Sequence, residues 1–263
     1  MTNLNDTELT PSEEPEKEER KKPKYVSKEG FEKVLVFRGF TEIEQLHNEL
    51  KKEIKRDAFI CGGYVRYMCS PRHDPSPASD VDIYCMNEEV FEKVKKLFKR
   101  TDIALTIKHE NDISITYQRP TSSDHPFFAS PPIQLIKPLK EGRVVSFGSM
   151  EEILTNFDFT VIRAGLLDHT LALVDADFIH DEGARILRLK NIHCPISSTL
   201  RCMKYARKGY WLPPFNCLKL FLDWDERDAD YRAKLVEFLA LANNGEGLTQ
   251  KDIDELEALM RID

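Results

Sequence analysis

The stretch Ile60-Cys61-Gly62-Gly63-Tyr64-Val65-Arg66, followed downstream by Ser79-Asp80-Val81-Asp82-Ile83-Tyr84, sets the reading of this chain. Asp80 and Asp82 lie in an apolar, β-prone run, so a strand there sends both carboxylates out from one face. Two hard carboxylates a few ångströms apart suit Mg²⁺, which prefers oxygen ligands and phosphates. The glycine pair follows the apolar run Ala58–Cys61. It predicts a strand turning into a helix, with Gly62 and Gly63 letting the backbone and its N–H groups approach a phosphate. Arg66, one turn into that helix, is predicted to add a guanidinium to the same anion.

Outward from this core, the pattern alternates between strands and helices. Glu42–Ile54 reads as an amphipathic helix through Ile43, Leu46, Leu50 and Ile54. Tyr64–Cys69 is a short helix ended by Ser70-Pro71, and a Pro-rich loop runs on to Pro77. After the strand Asp80–Met86, Asn87 N-caps a helix to Lys99 with Val90, Phe91, Val94, Leu97 and Phe98 turned inward. Ile103–Ile107 and Asp112–Tyr117 read as a hairpin around Glu110-Asn111. A polar loop, Arg119–Pro132, leads to a strand at Ile133–Ile136. Ser149 and Glu152 form a capping-box pattern. Strands are predicted at Phe159–Leu167 and Thr170–Ala176, and helices at Ser197–Lys208, Phe215–Trp224, Asp230–Ala242 and Gln250–Met260.

The predicted class is therefore α+β: a mixed β-sheet head with helices, followed by a helical C-terminal neck and body. The predicted boundaries are a disordered tail at 1–24, a head at 25–177 and a helical domain at 178–263. The six cysteines show no paired ligand spacing and read as reduced, structural thiols. A zinc site from His193, Cys194 and Cys202 is the alternative. No stretch has the length of a membrane span and no signal segment opens the chain, so a cytoplasmic protein is expected. The net charge of −7 lies at the ends, because residues 25–222 hold 28 basic and 26 acidic groups. Such a balance argues against a high-affinity, nonspecific nucleic-acid binder and for local contacts at most.

Gly62-Gly63-Tyr64-Val65-Arg66 with Ser79-Asp80-Val81-Asp82-Ile83 resembles the core signature of the polymerase-beta-like nucleotidyltransferase superfamily. The wording is most similar to the branch of CCA-adding enzymes and bacterial poly(A) polymerases, as a divergent phage or bacterial relative. Phe157-Asp158-Phe159-Thr160 is similar to that branch's Arg-Asp-Phe-Thr motif. Leu200–Tyr210 is similar to its Arg-containing helix at the head–neck junction, and the resemblance spans about residues 55–212. Phe157 stands where the branch has Arg, Ile162 where it has Asn, and residues 73–77 lengthen the spacing between Gly-Gly and Asp-x-Asp. CCA addition itself is therefore not carried over.

The resemblance implies Mg²⁺-dependent transfer of an NMP from an NTP such as ATP to a hydroxyl, with release of pyrophosphate. Asp80 and Asp82 would be the catalytic, metal-holding pair. Gly62, Gly63 and Arg66 would meet the nucleotide phosphates. Arg201, Lys204 and Lys208 share one helical face and would meet nucleotide or acceptor phosphate; a solvated face is the alternative. Many superfamily members use a third carboxylate, but the neighbouring strand offers Gln134; Asp112 and Asp158 are lesser candidates. Asp158 also reads as a brace for the following strand. Tyr210 and Trp211 read as neck core, with a base-stacking platform as the alternative. Three functions stay open. The first is transfer to an RNA 3′ end, tRNA-like. The second is transfer to a protein or small molecule, as in AMP-transferring toxins. The third is a nucleotide-binding protein with a decayed site.

Overall fold

Along Val81–Cys85 apolar residues alternate with Asp82 and Tyr84, and this alternation determines what each side of the sheet becomes. The computed structural model describes residues 30–38, 44–54, 57–72, 78–100, 105–118, 131–141, 144–193 and 195–225, plus isolated positions 229, 232, 233 and 236. The tail at 1–24, residues 73–77, most of the loop 119–132, most of the helix expected at 230–242 and all of that expected at 250–260 lie outside the described residues.

In chain order the elements are β1 (Phe31–Leu35), α1 (Glu44–Ile54), β2 (Ala58–Cys61), α2 (Gly63–Cys69), β3 (Val81–Cys85) and α3 (Glu88–Phe98). There follow β4 (Thr106–Glu110), β5 (Ser114–Gln118), β6 (Ile133–Ile136), β7 (Lys140–Glu141), β8 (Val144–Val145) and α4 (Met150–Thr155). A 3₁₀ turn (Thr160–Ile162), β9 (Ala164–Leu166), β10 (Leu171–Asp175), α5 (Phe178–Ala184), α6 (Pro195–Arg207) and α7 (Pro214–Asp225) complete the order. The class is α+β, as expected. Eight strands form one mixed sheet, β1-β10-β9-β2-β3-β6-β5-β4, in which β3 and β6 are parallel and the other neighbours antiparallel.

One face of the sheet carries the main core. Ile60, Val81, Ile83, Ile115, Leu135 and Ala164 meet Leu46 and Leu50 of α1, Val65 and Met68 of α2, and Val90, Val94 and Phe98 of α3. On the other face α4 covers only one end, where Met150, Ile153 and Leu154 pack on Phe59, Cys61 and Leu173. Gly165 lets α4 come this close, because a Cβ there would sit 2.6 Å from the Met150 sulfur. Among the described residues, the remainder of that face, in front of β3 and β6, borders a cavity. A smaller core of Phe159, Val161, Leu187, Leu189, Tyr205 and Tyr210 joins α6 to the sheet.

Local signals hold where side chains dictate the backbone. Asn87 accepts from the Val90 N–H, and Ser149 and Glu152 form the reciprocal capping box. Asn111 accepts from the N–H groups of Ile113 and Ser114, closing the hairpin, whose strands begin two to three residues later than expected. The expected strand Phe159–Leu167 is cut short to Ala164–Leu166. Its first half turns away as a 3₁₀ turn because Thr160 is drawn elsewhere: its N–H donates to the Arg188 carbonyl and its hydroxyl to buried Asp181. The exposed edge strand β1 carried too little apolar pattern to be read from sequence. Cys61, Cys69 and Cys85 are free and buried. No described helix is long and apolar enough to cross a membrane.

Candidate active site

Asp82 sits on β3 with Cys61 of β2 on one side and Gln134 of β6 on the other. It points to the open face, as does Tyr84 two residues on, while Asp80 lies one step before the strand. There a cavity of about 470 Å³ opens, lined by Gly62, Gly63, Asp80, Asp82, Tyr84, Gln134, Phe157, Asp158, Arg201 and Lys204 among others. Residues from β2–α2, β3, β6, the turn after α4, and α6 thus converge on one concave surface.

The two carboxylates load this surface with negative charge. Burial, and then the neighbouring Asp80 carboxylate, hold the Asp82 proton affinity well above the usual aspartate range; Arg201 and Lys204 act in the opposite sense. Burial and the Asp82 charge likewise raise the Tyr84 phenol, so it stays protonated. Opposite them stands α6. Lys204 Nζ donates to Ser79 Oγ at 3.1 Å, and Ser79 Oγ donates to Asp80 Oδ1 at 2.9 Å. Arg201 NH1 donates to Asp158 Oδ2 at 2.8 Å, and the Asp158 charge, with that hydrogen bond, strengthens the hold of Arg201 on its protons. Half of the Arg201 side chain is open to solvent, against 4% of Asp158. Asp158 is an anchor: its carboxylate also accepts from Ser198, and its carbonyl from the N–H groups of Lys190 and Asn191. It braces α6 and the 190–191 segment rather than the strand that follows it. Its Oδ1 is buried with no hydrogen-bond partner among the described residues.

The expected site residues divide. Asp80, Asp82, Gly62, Gly63, Arg201 and Lys204 all line the cavity. Arg66 and Lys208 are not among the residues lining it. The Arg66 side chain is 1% exposed; its NH1 lies 3.2 Å from Glu182 Oε1 and 2.8 Å from the Tyr210 hydroxyl. Helix geometry turns residue 66 inward, where α5 supplies a buried carboxylate that takes up the guanidinium. Lys208 is set back over the Tyr205 ring, at 5.6 Å; burial and the Arg66 and Lys204 charges lower its affinity for its proton to about 8.

Gly62 also departs from its expected part. Its N–H donates 2.7 Å to the Ala164 carbonyl, so it is committed to the sheet and not free for a phosphate. What Gly62 provides is conformation and room, with φ 83°, and with a Cβ position 3.4 Å from Asp82 Oδ2 and 3.6 Å from the Phe157 ring. Gln134 stands beside Asp82, as the strand reading expected, and Asp112 is not among the lining residues. No group of three or more metal-ligating side chains occurs among the described residues. The zinc alternative includes Cys194, outside the described residues.

Sequence reasoning passed over Tyr84, Ser197, Ser198 and His193 as cavity residues. Strand alternation with Asp82 would have found Tyr84. The other three come from the entry to α6, which only the fold brings to β3.

A family model described as Gabija anti-defense 2 family protein matches residues 32–185, more than half of the chain. The chain belongs to the Gabija anti-defense 2 family. The matched region runs from β1 through α5, so it holds both aspartates and the glycine pair of this anti-defense 2 chain and stops before Arg201 and Lys204. No curated protein matches the chain.

The solved structures similar to it include a Bacillus stearothermophilus CCA-adding enzyme in complex with CTP. The identity is 21%, the TM-score 0.48, and 67% of this chain and 41% of that one are covered. A tRNA nucleotidyltransferase complexed with a primer tRNA and an incoming ATP analog matches at 18% identity and TM-score 0.44, covering 73% and 50%. A tRNA-processing enzyme complex matches at 18% and 0.46, covering 80% and 54%. The anti-defense 2 chain thus spans about half the length of these structures.

Proposed function

We propose that this protein is a Mg²⁺-dependent nucleotidyltransferase that moves an NMP from an NTP to an acceptor hydroxyl, an RNA 3′ end of tRNA-like kind. One observation carries the reading: Asp80 and Asp82 enter a single cavity opposite Arg201 and Lys204, two acids facing two cations at nucleotide size. The donor set fits the metal. Both ligands are hard carboxylates, and Asp82 is held against its own charge by burial and by Asp80, a conflict that a divalent cation relieves.

Asp80 and Asp82 would hold Mg²⁺, which when bound would supply charge neutralisation for the transferring phosphoryl group. The acceptor hydroxyl gives up its proton to water as its oxygen bonds to the α-phosphorus and the α–β bridging bond breaks, the electron pair leaving with pyrophosphate. Arg201, fixed by Asp158, and Lys204 hold the triphosphate charge from α6. Ser79, hydrogen-bonded between Lys204 and Asp80, orients the Asp80 carboxylate. Tyr84 and Phe157, with ring centroids 5.5 Å apart, add two aromatic rings to the lining of the same cavity. Gly62 leaves the approach to Asp82 unobstructed.

The test is to incubate the full chain with each labelled NTP, Mg²⁺, total cellular RNA and total protein. Label entering RNA, and lost in Asp80→Ala and Asp82→Ala, is the expected result. Equal label in both variants, or none with the intact protein, overturns it.

The family description favours a second acceptor. A protein that counteracts a defense system has a use for modifying one of that system's components, and label in protein would select the protein hydroxyl instead.

A further inference from the structure

A second cavity, of about 570 Å³, opens beside residues 186–190, from which Lys190 donates its N–H to the carbonyl of Asp158 in the first cavity. Two aromatic rings stand in its wall with more than half their surface open, Trp211 at 58% and Phe215 at 52%. Tyr210 is buried as neck core, and Trp211, expected beside it, is not. The Trp211 backbone is clamped from both sides: its N–H donates to Arg185 and its carbonyl accepts from Leu187, at 2.7 and 2.8 Å. The exposed ring is therefore presented from a fixed backbone.

Three cations share the wall with one carboxylate, Asp177. Arg188 is oriented by two hydrogen bonds to Asp181, and Lys190 by Asp177 at 3.0 Å. Lys219 Nζ lies 5.0 Å from the centre of the Phe215 ring. Burial, then Lys190 and Arg188, lower the Lys219 proton affinity, while Asp175, Asp177 and Asp181 hold Lys190 and Arg188 in place. A flat apolar ring next to clustered cations suits a base joined to a phosphate.

We propose that this cavity binds one nucleotide of a single-stranded RNA, its base stacked on Trp211 and its phosphate between Lys219 and Arg188. The inference rests on the RNA-acceptor reading, and gives that strand a second hold on the protein.

Trp224 is the second of two tryptophans, so in a Trp224→Phe background emission reports Trp211 alone. A short single-stranded oligoribonucleotide is titrated in EDTA without NTP, which separates binding from transfer; free AMP is titrated in parallel. Quenching by the oligonucleotide, tighter than by AMP, is expected. By anisotropy with the labelled strand, Trp211→Ala weakens binding about tenfold and Trp211→Phe restores most of it. Lys219→Glu weakens binding similarly and flattens its salt dependence. Absence of quenching, quenching by AMP alone, or unchanged affinity in Trp211→Ala and Lys219→Glu overturns the proposal. RNA binding through Trp211 without RNA labelling refutes the transfer reading and leaves this cavity standing. RNA labelling with wild-type binding in both variants does the reverse.

Discussion

Asp82 holds its charge against burial and against Asp80, with Arg201 and Lys204 in its favour. Without metal its folded-state proton affinity exceeds that of the unfolded chain, so the folded state binds more protons just above the ordinary value of 3.8. Stability in EDTA therefore falls as pH rises from that value through the raised one, and the whole penalty is present above both. Asp82→Asn removes it. In metal-free buffer the variant should melt higher than the parent at slightly alkaline pH, with the gain shrinking as the pH is lowered; a pH series of thermal melts checks this. Asp82→Asn should lose Mg²⁺-dependent NMP transfer at the same time, a gain in stability paired with a loss of function. Gly62 is the second residue whose chemistry is specific. Its φ of 83° and ψ of −142° belong to backbone that glycine alone adopts readily. Gly62→Ala should cost about 1–3 kcal/mol in urea denaturation and impair transfer beyond that loss.

Among the elements, α2, α5 and the turn after α6 are tied by Arg66, Glu182 and Tyr210, and both partners of the ion pair are almost fully buried. Arg66→Met leaves the Glu182 charge without that partner in the core, and should cost about 3–5 kcal/mol. Combining it with Glu182→Leu should recover part of the loss, because two apolar groups replace two desolvated charges. Chemical denaturation of the singles and the double measures the coupling; a double that only adds the two losses would show none. The capping box of α4 is a more local matter, and Ser149→Ala should cost about 1 kcal/mol by the same measurement. These elements also show what was legible beforehand. Asn87, Ser149 and Asn111 act on N–H groups two or three residues away, so their caps and turns are readable from sequence. The 3₁₀ turn at Thr160 answers to Asp181 and Arg188, which no local pattern announces.

For the whole molecule, the expected division after residue 177 runs through dense contact. Arg66–Glu182, Thr160–Asp181 and Asp158–Arg201 all cross it. A fragment of residues 25–177 should therefore lose cooperative unfolding, while one extended to residue 225 should keep it; thermal melts of the two fragments decide. The sequence by itself determined what depends on neighbours along the chain. It placed Asp82 on a strand face with Asp80 just ahead of it, a glycine turn before a helix, the capped helices and an α+β class. Tertiary structure decided which cations meet those carboxylates. Arg66, one turn from the glycines, is rotated into the core and taken by Glu182. Lys204, 125 residues from Ser79, arrives on α6 with Arg201 to face the pair. Alternation and helix pitch fix direction within an element, but a charge finds its partner only when separate elements pack together, and sequence distance does not measure that.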